Sequence, residues 1–475
     1  MSNSPVIVWF RRDLRLADHR ALHAASRCAN GAGVLGVFIV DRVLLGSSGP
    51  TRVNYLARTV ASLNESMNGR LVIRTGDPAE VLQQLATKFG VQNVFATQEY
   101  SPYGIRRDER VRRRLAGAAV QINFVDSNYL VAPGSVRSAS DQPLKVFGAF
   151  RRRWDPLVDV DEATDLSLSD FVEVPSETAH SLVAIAATRR PSYFGDLPDG
   201  PAEVQMPAGE AAAASALTDF VSKAENYADQ RDRPDLEGTS RLSAFIRFGV
   251  LHPRQIVRAL AMRDVDNDLF LSELAWREFY ADVLFHQPKS TQENLNSSLR
   301  LLRVDRDVAA EQRFRTWALG ETGYPFVDAA MRQLLQEGWM HNRARMVTAS
   351  FLVKHLHLDW RWGAQWFMWR LADGDIASNQ HGWQWTAGTG TDAAPFHRVF
   401  NPTRQAERFD PQGTYVHKYV QELASVPAPT CLQPGAGDGL LAPANYFSPM
   451  LDVDVERRDA LNRYAEAREL ARTNP

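Results

Sequence analysis

The feature that most constrains the fold is an alternation confined to the first quarter of the chain. Short apolar runs at Val6–Phe10, Val34–Val40, Leu71–Arg74, Val91–Ala96 and Val120–Val125 are strand candidates. Between them, Val53–Met67, Ala79–Phe89 and Arg106–Leu115 carry apolar residues at three- and four-residue spacing, the helical period. Strand–helix alternation of this kind predicts parallel strands joined by right-handed crossovers, a doubly wound α/β sheet. From about Val158 to Ala214 the periodicity fades and Pro, Glu, Asp and Ala take over, as in Val174–Glu177 and Leu197–Pro201, which reads as a long surface linker. After Leu217 no strand pattern returns. Helical patterns recur to the end, punctuated by Gly238, Pro253, Pro288, Gly323, Gly338, Gly374 and Pro402. The expected organisation is an α/β domain over 1–130, a linker over 131–215 and an all-α domain over 216–475.

Composition removes several function classes. With 44% hydrophobic and 23% charged residues the chain is ordinary globular protein, not disordered or fibrous. Lys+Arg number 54 and Asp+Glu 56, a net charge of −2, so an anionic ligand must be met by a local patch. Two cysteines, Cys28 and Cys431, supply neither a disulfide framework nor a four-thiolate cluster or zinc site. No run approaches the roughly 18 apolar residues of a membrane span, and a reduced, cytoplasmic protein is the expectation. Arg106–Arg114 carries six arginines on one short helix, readable as a solvated face or as a polyanion site. Nine of the 11 tryptophans fall between Trp276 and Trp385, a density pointing to an aromatic site in the helical domain.

Four segments hold residue types with chemistry. Gly238-Thr239-Ser240-Arg241-Leu242-Ser243 can present backbone N–H groups and side-chain donors to a phosphate, or form a plain helix cap. Glu273, Trp276 and Arg277 share one helical face, as a heterocycle-binding set or as a surface ion pair beside a core indole. Asn342, Arg345 and Met346 form a second stripe, a plausible cavity lining of amide, cation and thioether. Asp373-Gly374-Asp375 precedes Asn379 and Trp383-Gln384-Trp385; nothing nearby completes a metal shell, so an arginine such as Arg345 or a ribityl hydroxyl is the favoured partner, and no metal is expected.

These segments, with Trp9-Phe10-Arg11-Arg12-Asp13-Leu14-Arg15-Leu16-Ala17-Asp18 at the start and Gly323-Tyr324-Pro325-Phe326-Val327-Asp328-Ala329-Ala330-Met331-Arg332 later, resemble the photolyase/cryptochrome family from about Val6 to Tyr419. Within it the chain is similar to class I bacterial enzymes that repair cyclobutane pyrimidine dimers. Glu273 with Trp276, and Asn342 with Met346, match the dimer-repair pattern; relatives acting on (6-4) photoproducts have a second histidine at Asn342. The resemblance implies a Rossmann-like domain and a helical domain holding FAD, active as FADH⁻. It places Tyr227, Thr239, Ser240, Arg241, Leu242 and Ser243 at the phosphates. Arg277, Arg345, Asp373, Gly374 and Asp375 would surround the isoalloxazine and ribityl groups, with Asn379 facing flavin N5. The substrate would be a thymine dimer flipped out of damaged DNA, an extrusion for which photolyases are a standard example. Trp276 and Trp385 would wall the pocket, Met346 would floor it, and Glu273 would hydrogen-bond the dimer carbonyls, its pKa raised by the stacked apolar surroundings. Arg343, with Arg398 and Arg404 behind it, would meet DNA phosphates.

Two departures from the family pattern stand out. Trp383 and Trp360 match the first two members of a three-tryptophan electron chain, but Asp307 aligns with the third; Trp362, Trp366 and Trp369 form either another route or core packing. The antenna segments also differ. Gly104 stands where folate binders have glutamate, and His286-Gln287-Pro288-Lys289-Ser290 lacks their cysteine, so a deazaflavin is favoured over folate, with an empty cleft as the alternative. A monomer is expected, and a cryptochrome-like light sensor is the rival function; the intact Glu273, Asn342 and Met346 set favours repair.

Overall fold

In the computed structural model, five strands form one sheet: β1 Val6–Phe10, β2 Val34–Val40, β3 Val72–Thr75, β4 Asn93–Gln98 and β5 Gln121–Ser127. Their order is β3-β2-β1-β4-β5 and every pairing is parallel, with Val6 opposite Val34, Val37 opposite Val72, Ile7 opposite Val94 and Asn93 opposite Gln121. This is the doubly wound order, which reverses direction between β1 and β4. The structure describes residues 4–162, 170–172, 190–200, 205–263, 268–391, 398–433 and 446–473.

Each expected strand is present within two residues of its expected limits. β1 and β2 are buried along their whole length, as central parallel strands covered on both faces must be. The crossover helices Pro78–Phe89 and Pro102–Ala116 begin alike: Asp77 and Ser101 cap the helix by accepting from Ala79 N and Gly104 N, and proline follows at the first helical position. Leu82, Leu85, Val111 and Leu115 then pack on Ile7, Val37 and Val94. Five of the six arginines on this helix are exposed, whereas Arg107 is buried, pairing with Asp108 at 2.8 Å and lying over Trp9. Arg112 and Arg113 pair with Glu109, Arg110 with Asp77, and Arg114 donates to Gln83.

Packing divides the chain into two compact units, the first built from 1–189, 205–225 and 240–288, the second from 190–204, 226–239 and 289–475. Residues 240–288, which the compositional boundary places in the helical domain, pack with the sheet. Arg254 shows why: its buried guanidinium reaches Asp18 at 3.0 Å and Asp126 at 2.7 Å, fastening helix Pro253–Ala261 to the loops beside the sheet. The stretch expected as linker ends in helix, since Glu210 opens Glu210–Lys223 and its carboxylate accepts from Leu16 N and Ala17 N. Val174–Glu177 and Pro201 lie outside the described residues.

The second unit is helical. Its principal helices are Val308–Leu319, Pro325–Glu337, Asn342–Lys354, Trp360–Arg370, Ile376–Ala387 and Val453–Thr473. Among the described residues no strand follows Ser127 and no helix is long and apolar enough to cross a membrane.

Candidate functional site

In the first unit the site residues stand on helix Asp268–His286, which is anchored by carboxylates on its other side. Glu278 accepts from Leu130 N at 2.5 Å, Val131 N at 2.9 Å and Trp154 Nε1 at 2.6 Å, and Asp282 accepts from Gly134 N at 2.7 Å. Burial pushes the Glu278 carboxyl up to about 7, against the opposing pull of Trp154 and Arg277. Glu273, Trp276 and Arg277 stay half-buried. The Trp276 indole stacks on Phe147 with centroids 3.7 Å apart and planes 9° off parallel, so one face is braced and the ring is fixed in orientation. Arg277 is also held: Nη1 donates to Asn128 O at 3.1 Å, the guanidinium lies over Tyr129, and the buried Nη2 has no partner.

The turn at Gly238–Ser243, expected at the phosphates, is built on tight backbone. A Cβ on Gly238 would fall 2.3 Å from Gln230 Cβ, so only glycine fits. Thr239 and Ser240 are half-buried, Arg241 and Ser243 exposed, and Leu242 fully buried, so Leu242 offers a ligand its backbone alone. Arg241 has φ +54°, a left-handed conformation unusual for arginine. The helix it precedes, Ser243–Arg247, is only five residues long. Tyr227 is half-buried at the start of the one-turn helix Tyr227–Gln230.

In the second unit Arg345 and Asp373 come together. Arg345 Nη2 meets Asp373 Oδ2 at 2.8 Å while its Nε donates to Met340 O at 2.8 Å. Asp373 is buried and its Oδ1 has no partner. The two acids flanking Gly374 thus have different tasks, because Asp375 caps helix Ile376–Ala387 by accepting from Ala377 N and Ser378 N. Asn379 spends its amide nitrogen on Ala364 O at 3.0 Å and Gln380 Oε1 at 2.8 Å, leaving its carbonyl oxygen as the group able to meet a ligand. Asn342 is exposed at the start of its helix, with Met346 half-buried one turn on. Arg343 is paired with Asp232 at 2.8 Å and lies over Phe409. Arg398 and Arg404 are exposed, and the buried Lys354 Nζ fixes the Arg398 carbonyl at 2.7 Å.

Several aromatic residues of this unit pack ring against ring. Trp383 is buried between Trp317, at 6.2 Å, and Phe367, at 5.0 Å, and its Nε1 has no partner. Trp385 is half-buried. Trp360 Nε1 donates to Asn294 Oδ1 at 2.9 Å. Trp366 and Trp369 pack around Phe194, and Trp362 stacks on Tyr193. Asp307 caps helix Val308–Leu319 by accepting from Ala310 N, which accounts for an acid at that position.

Two partners of the site went unread in the sequence, Phe147 behind Trp276 and Trp317 against Trp383, because both contacts join residues far apart in the chain. Within each unit the residues present suit a flavin. Arg277 Nη2 in the first unit is a buried polar atom lacking a partner, and so is Asp373 Oδ1 in the second; such atoms are rare unless a ligand or water supplies the missing bond. A guanidinium–carboxylate pair and a fixed amide suit the polar edge of a heterocycle. The grouping of His357, Glu456 and Asp459 is the one metal-like cluster among the described residues, and Arg463 already occupies Asp459 at 2.8 Å.

Comparison with known proteins agrees along nearly the whole chain. Residues 6–167 match the family described as DNA photolyase, and residues 270–466 match the FAD binding domain of DNA photolyase. The deoxyribodipyrimidine photo-lyase of Halobacterium salinarum is 36% identical, over 97% of this chain and 99% of that protein. A bacterial class III photolyase from Agrobacterium tumefaciens superposes with a TM-score of 0.87 at 34% identity, covering 99% of this chain and 98% of the other. The Synechocystis cryptochrome superposes with a TM-score of 0.81 at 27% identity, covering 97% and 100%.

Proposed function

The chain belongs to the DNA photolyase family and is an FAD-binding DNA-repair enzyme, and from that premise we propose that it reverses cyclobutane pyrimidine dimers in DNA under blue light. The observation that carries this reading is the Trp276 platform: a half-buried indole, braced by Phe147 at 3.7 Å, one helical turn from Glu273. Extruding a dimer forfeits stacking worth a few kcal/mol per step, and a pre-oriented indole recovers part of it without an ordering cost of its own. A relative at 34% identity is described as class III, so the proposal is dimer repair rather than membership of class I.

When bound in reduced form, FAD would supply light-driven one-electron chemistry for opening the dimer, with no net redox change. The chain's own residues bind and position. Tyr227 and Thr239–Ser243 hold the phosphates, with the Leu242 backbone as its contribution. The Arg345–Asp373 pair would hold a polar edge of the ring system, its cation stabilising negative charge there, and Arg277 would offer its unpartnered Nη2 to the cofactor. Asn379 offers its carbonyl oxygen to an N–H, which favours a reduced, N5-protonated ring. Glu273 would hydrogen-bond a dimer carbonyl, Asn342 would add a polar contact, and Met346 and Trp385 would meet the dimer by van der Waals contact. Arg398 and Arg404 meet DNA phosphates, whereas Arg343, committed to Asp232, shapes the rim. Trp383 and Trp360 pass electrons inward when the cofactor must be reduced.

For the antenna we propose a deazaflavin. Gly104 leaves no room for a glutamate, since even a Cβ would sit 2.9 Å from Glu99 Cβ and Ser101 Oγ. A monomer suffices for all of these roles.

The test is dimer loss from irradiated DNA with pre-reduced enzyme, in light and in darkness. Repair requires light-dependent loss. A cryptochrome-like sensor, the reading favoured by the Synechocystis likeness, would bind flavin and leave the dimers in place. Glu273→Ala should lower the repair yield about tenfold or more while DNA affinity changes by less than about threefold, because the contact matters most in the charged transient. Equal losses in both would remove Glu273 from the chemistry.

A further inference from the structure

Beside Trp360 the second unit contains a cavity of about 530 Å³, within the size range of small-molecule sites. Its wall carries the cations Arg300, Arg306 and Arg361, the carboxylates Glu293 and Asp359, and the Trp360 indole. Asp359 is shared by Arg306 at 3.0 Å and Arg361 at 2.9 Å, so the lining keeps a net positive charge, with Arg300 outside any ion pair among the described residues. Thr389 also lines the cavity. It is fully buried, its backbone is fixed by bonds with Gln384 O and Asn296 N, and its Oγ1 has no partner. Buried hydroxyls are seldom left unbonded, so a ligand atom is the natural complement. Arg306 lines the cavity, and its neighbour Asp307, the residue aligned with the third tryptophan of the family's electron chain, is a helix cap.

We infer that this cavity takes a small anionic reductant of the enediolate class, which restores Trp360 directly in place of a terminal aromatic residue. The inference rests on the reading of Trp360 as an electron carrier. An enediolate offers a negative charge to Arg300 and hydroxyl oxygens to Thr389, beside the buried Trp360 indole, over which Arg361 lies at 4.8 Å. Trp360, having given one electron inward through Trp383, takes one electron from the bound enediolate. The enediolate hydroxyl proton leaves to water, the indole returns to its neutral closed-shell state, and the enediolate radical departs to disproportionate in solution.

The experiment uses FAD-loaded enzyme with ascorbate as the probe. In darkness, calorimetric titration should show ascorbate binding that Arg300→Glu weakens about tenfold and Thr389→Val weakens by a smaller factor. Under blue light, the photoreduction rate should saturate with ascorbate concentration, and Arg300→Glu should raise the half-saturating concentration by the same factor. Arg113→Glu, a charge reversal on an exposed helix of the first unit, should do neither. A rate linear in ascorbate and indifferent to Arg300→Glu, with no dark binding, would overturn the inference even if Trp360→Phe slows photoreduction. If Trp360→Phe photoreduces like wild type, the underlying electron-carrier reading fails instead, and the redox role of the cavity falls with it.

Discussion

Glu278 carries the sharpest residue-scale consequence. It is fully buried, and its carboxyl is raised from 4.5 to about 7, with desolvation as the leading cause. A carboxyl whose folded pKa lies above its unfolded value stabilises the fold most when protonated. That contribution is complete below about 4.5 and is lost as pH rises through about 7. The expected cost is of order 3 kcal/mol between pH 5 and pH 8 if the carboxyl ionises unaided. Urea denaturation at those two pH values should therefore show a fall in stability that Glu278→Gln, which mimics the protonated carboxyl, largely removes. An identical pH slope in the variant would mean that the group stays charged throughout. Glu278→Ala is a different experiment. It strands Leu130 N, Val131 N and Trp154 Nε1, three buried donors, at roughly 1–3 kcal/mol each.

At the scale of elements, helices Trp360–Arg370 and Ile376–Ala387 owe their close approach to one glycine. A Cβ on Gly363 would lie 2.1 Å from Trp383 Cη2, with two further indole carbons within 2.6 Å, so Trp383 occupies space that only glycine leaves open. Gly363→Ala should cost about 1–3 kcal/mol as overpacking does, displace the indole and slow photoreduction. A variant with wild-type melting and wild-type photoreduction would show that the helices separate without consequence. Elements were largely legible beforehand because their signals are local: β1 and β2 are unbroken apolar runs, and Pro78 and Pro102 follow capping residues. Helix Arg20–Ala29 was not read, since its buried stripe is mostly alanine (Ala21, Ala25 and Ala29 with Leu22) and its cap is His19, a weak signal in sequence. The site divides on the same line. Glu273 with Trp276, Arg345 with Asp373 and the Asp375 cap follow from helical spacing, opposite charge and local capping, whereas the Phe147 brace and the Arg343–Asp232 pair depend on tertiary packing.

For the whole molecule, a net charge of −2 must coexist with binding a polyanion. Many of its arginines are spent internally: Arg112 and Arg113 on Glu109, Arg254 on Asp18 and Asp126, Arg343 on Asp232. Affinity must then come from a few exposed cations, and the dependence on salt should be shallow. Each phosphate contact contributes about 0.9 to the slope of log K against log salt concentration on duplex DNA, so two or three contacts give a slope of about −2 to −3. Arg404 is exposed on helix Pro402–Phe409, whose first turn is capped by Asn401, so removing its side chain leaves the backbone intact. Arg404→Ala should lower the slope by about 1, weaken damaged and undamaged DNA alike, and leave the ratio between them unchanged, because a phosphate contact carries no information about the lesion. Binding isotherms on both DNAs across a salt series measure this directly. If the variant lost preference for the damaged strand while keeping the wild-type slope, Arg404 would be reading the dimer, and charge would have to enter through other residues.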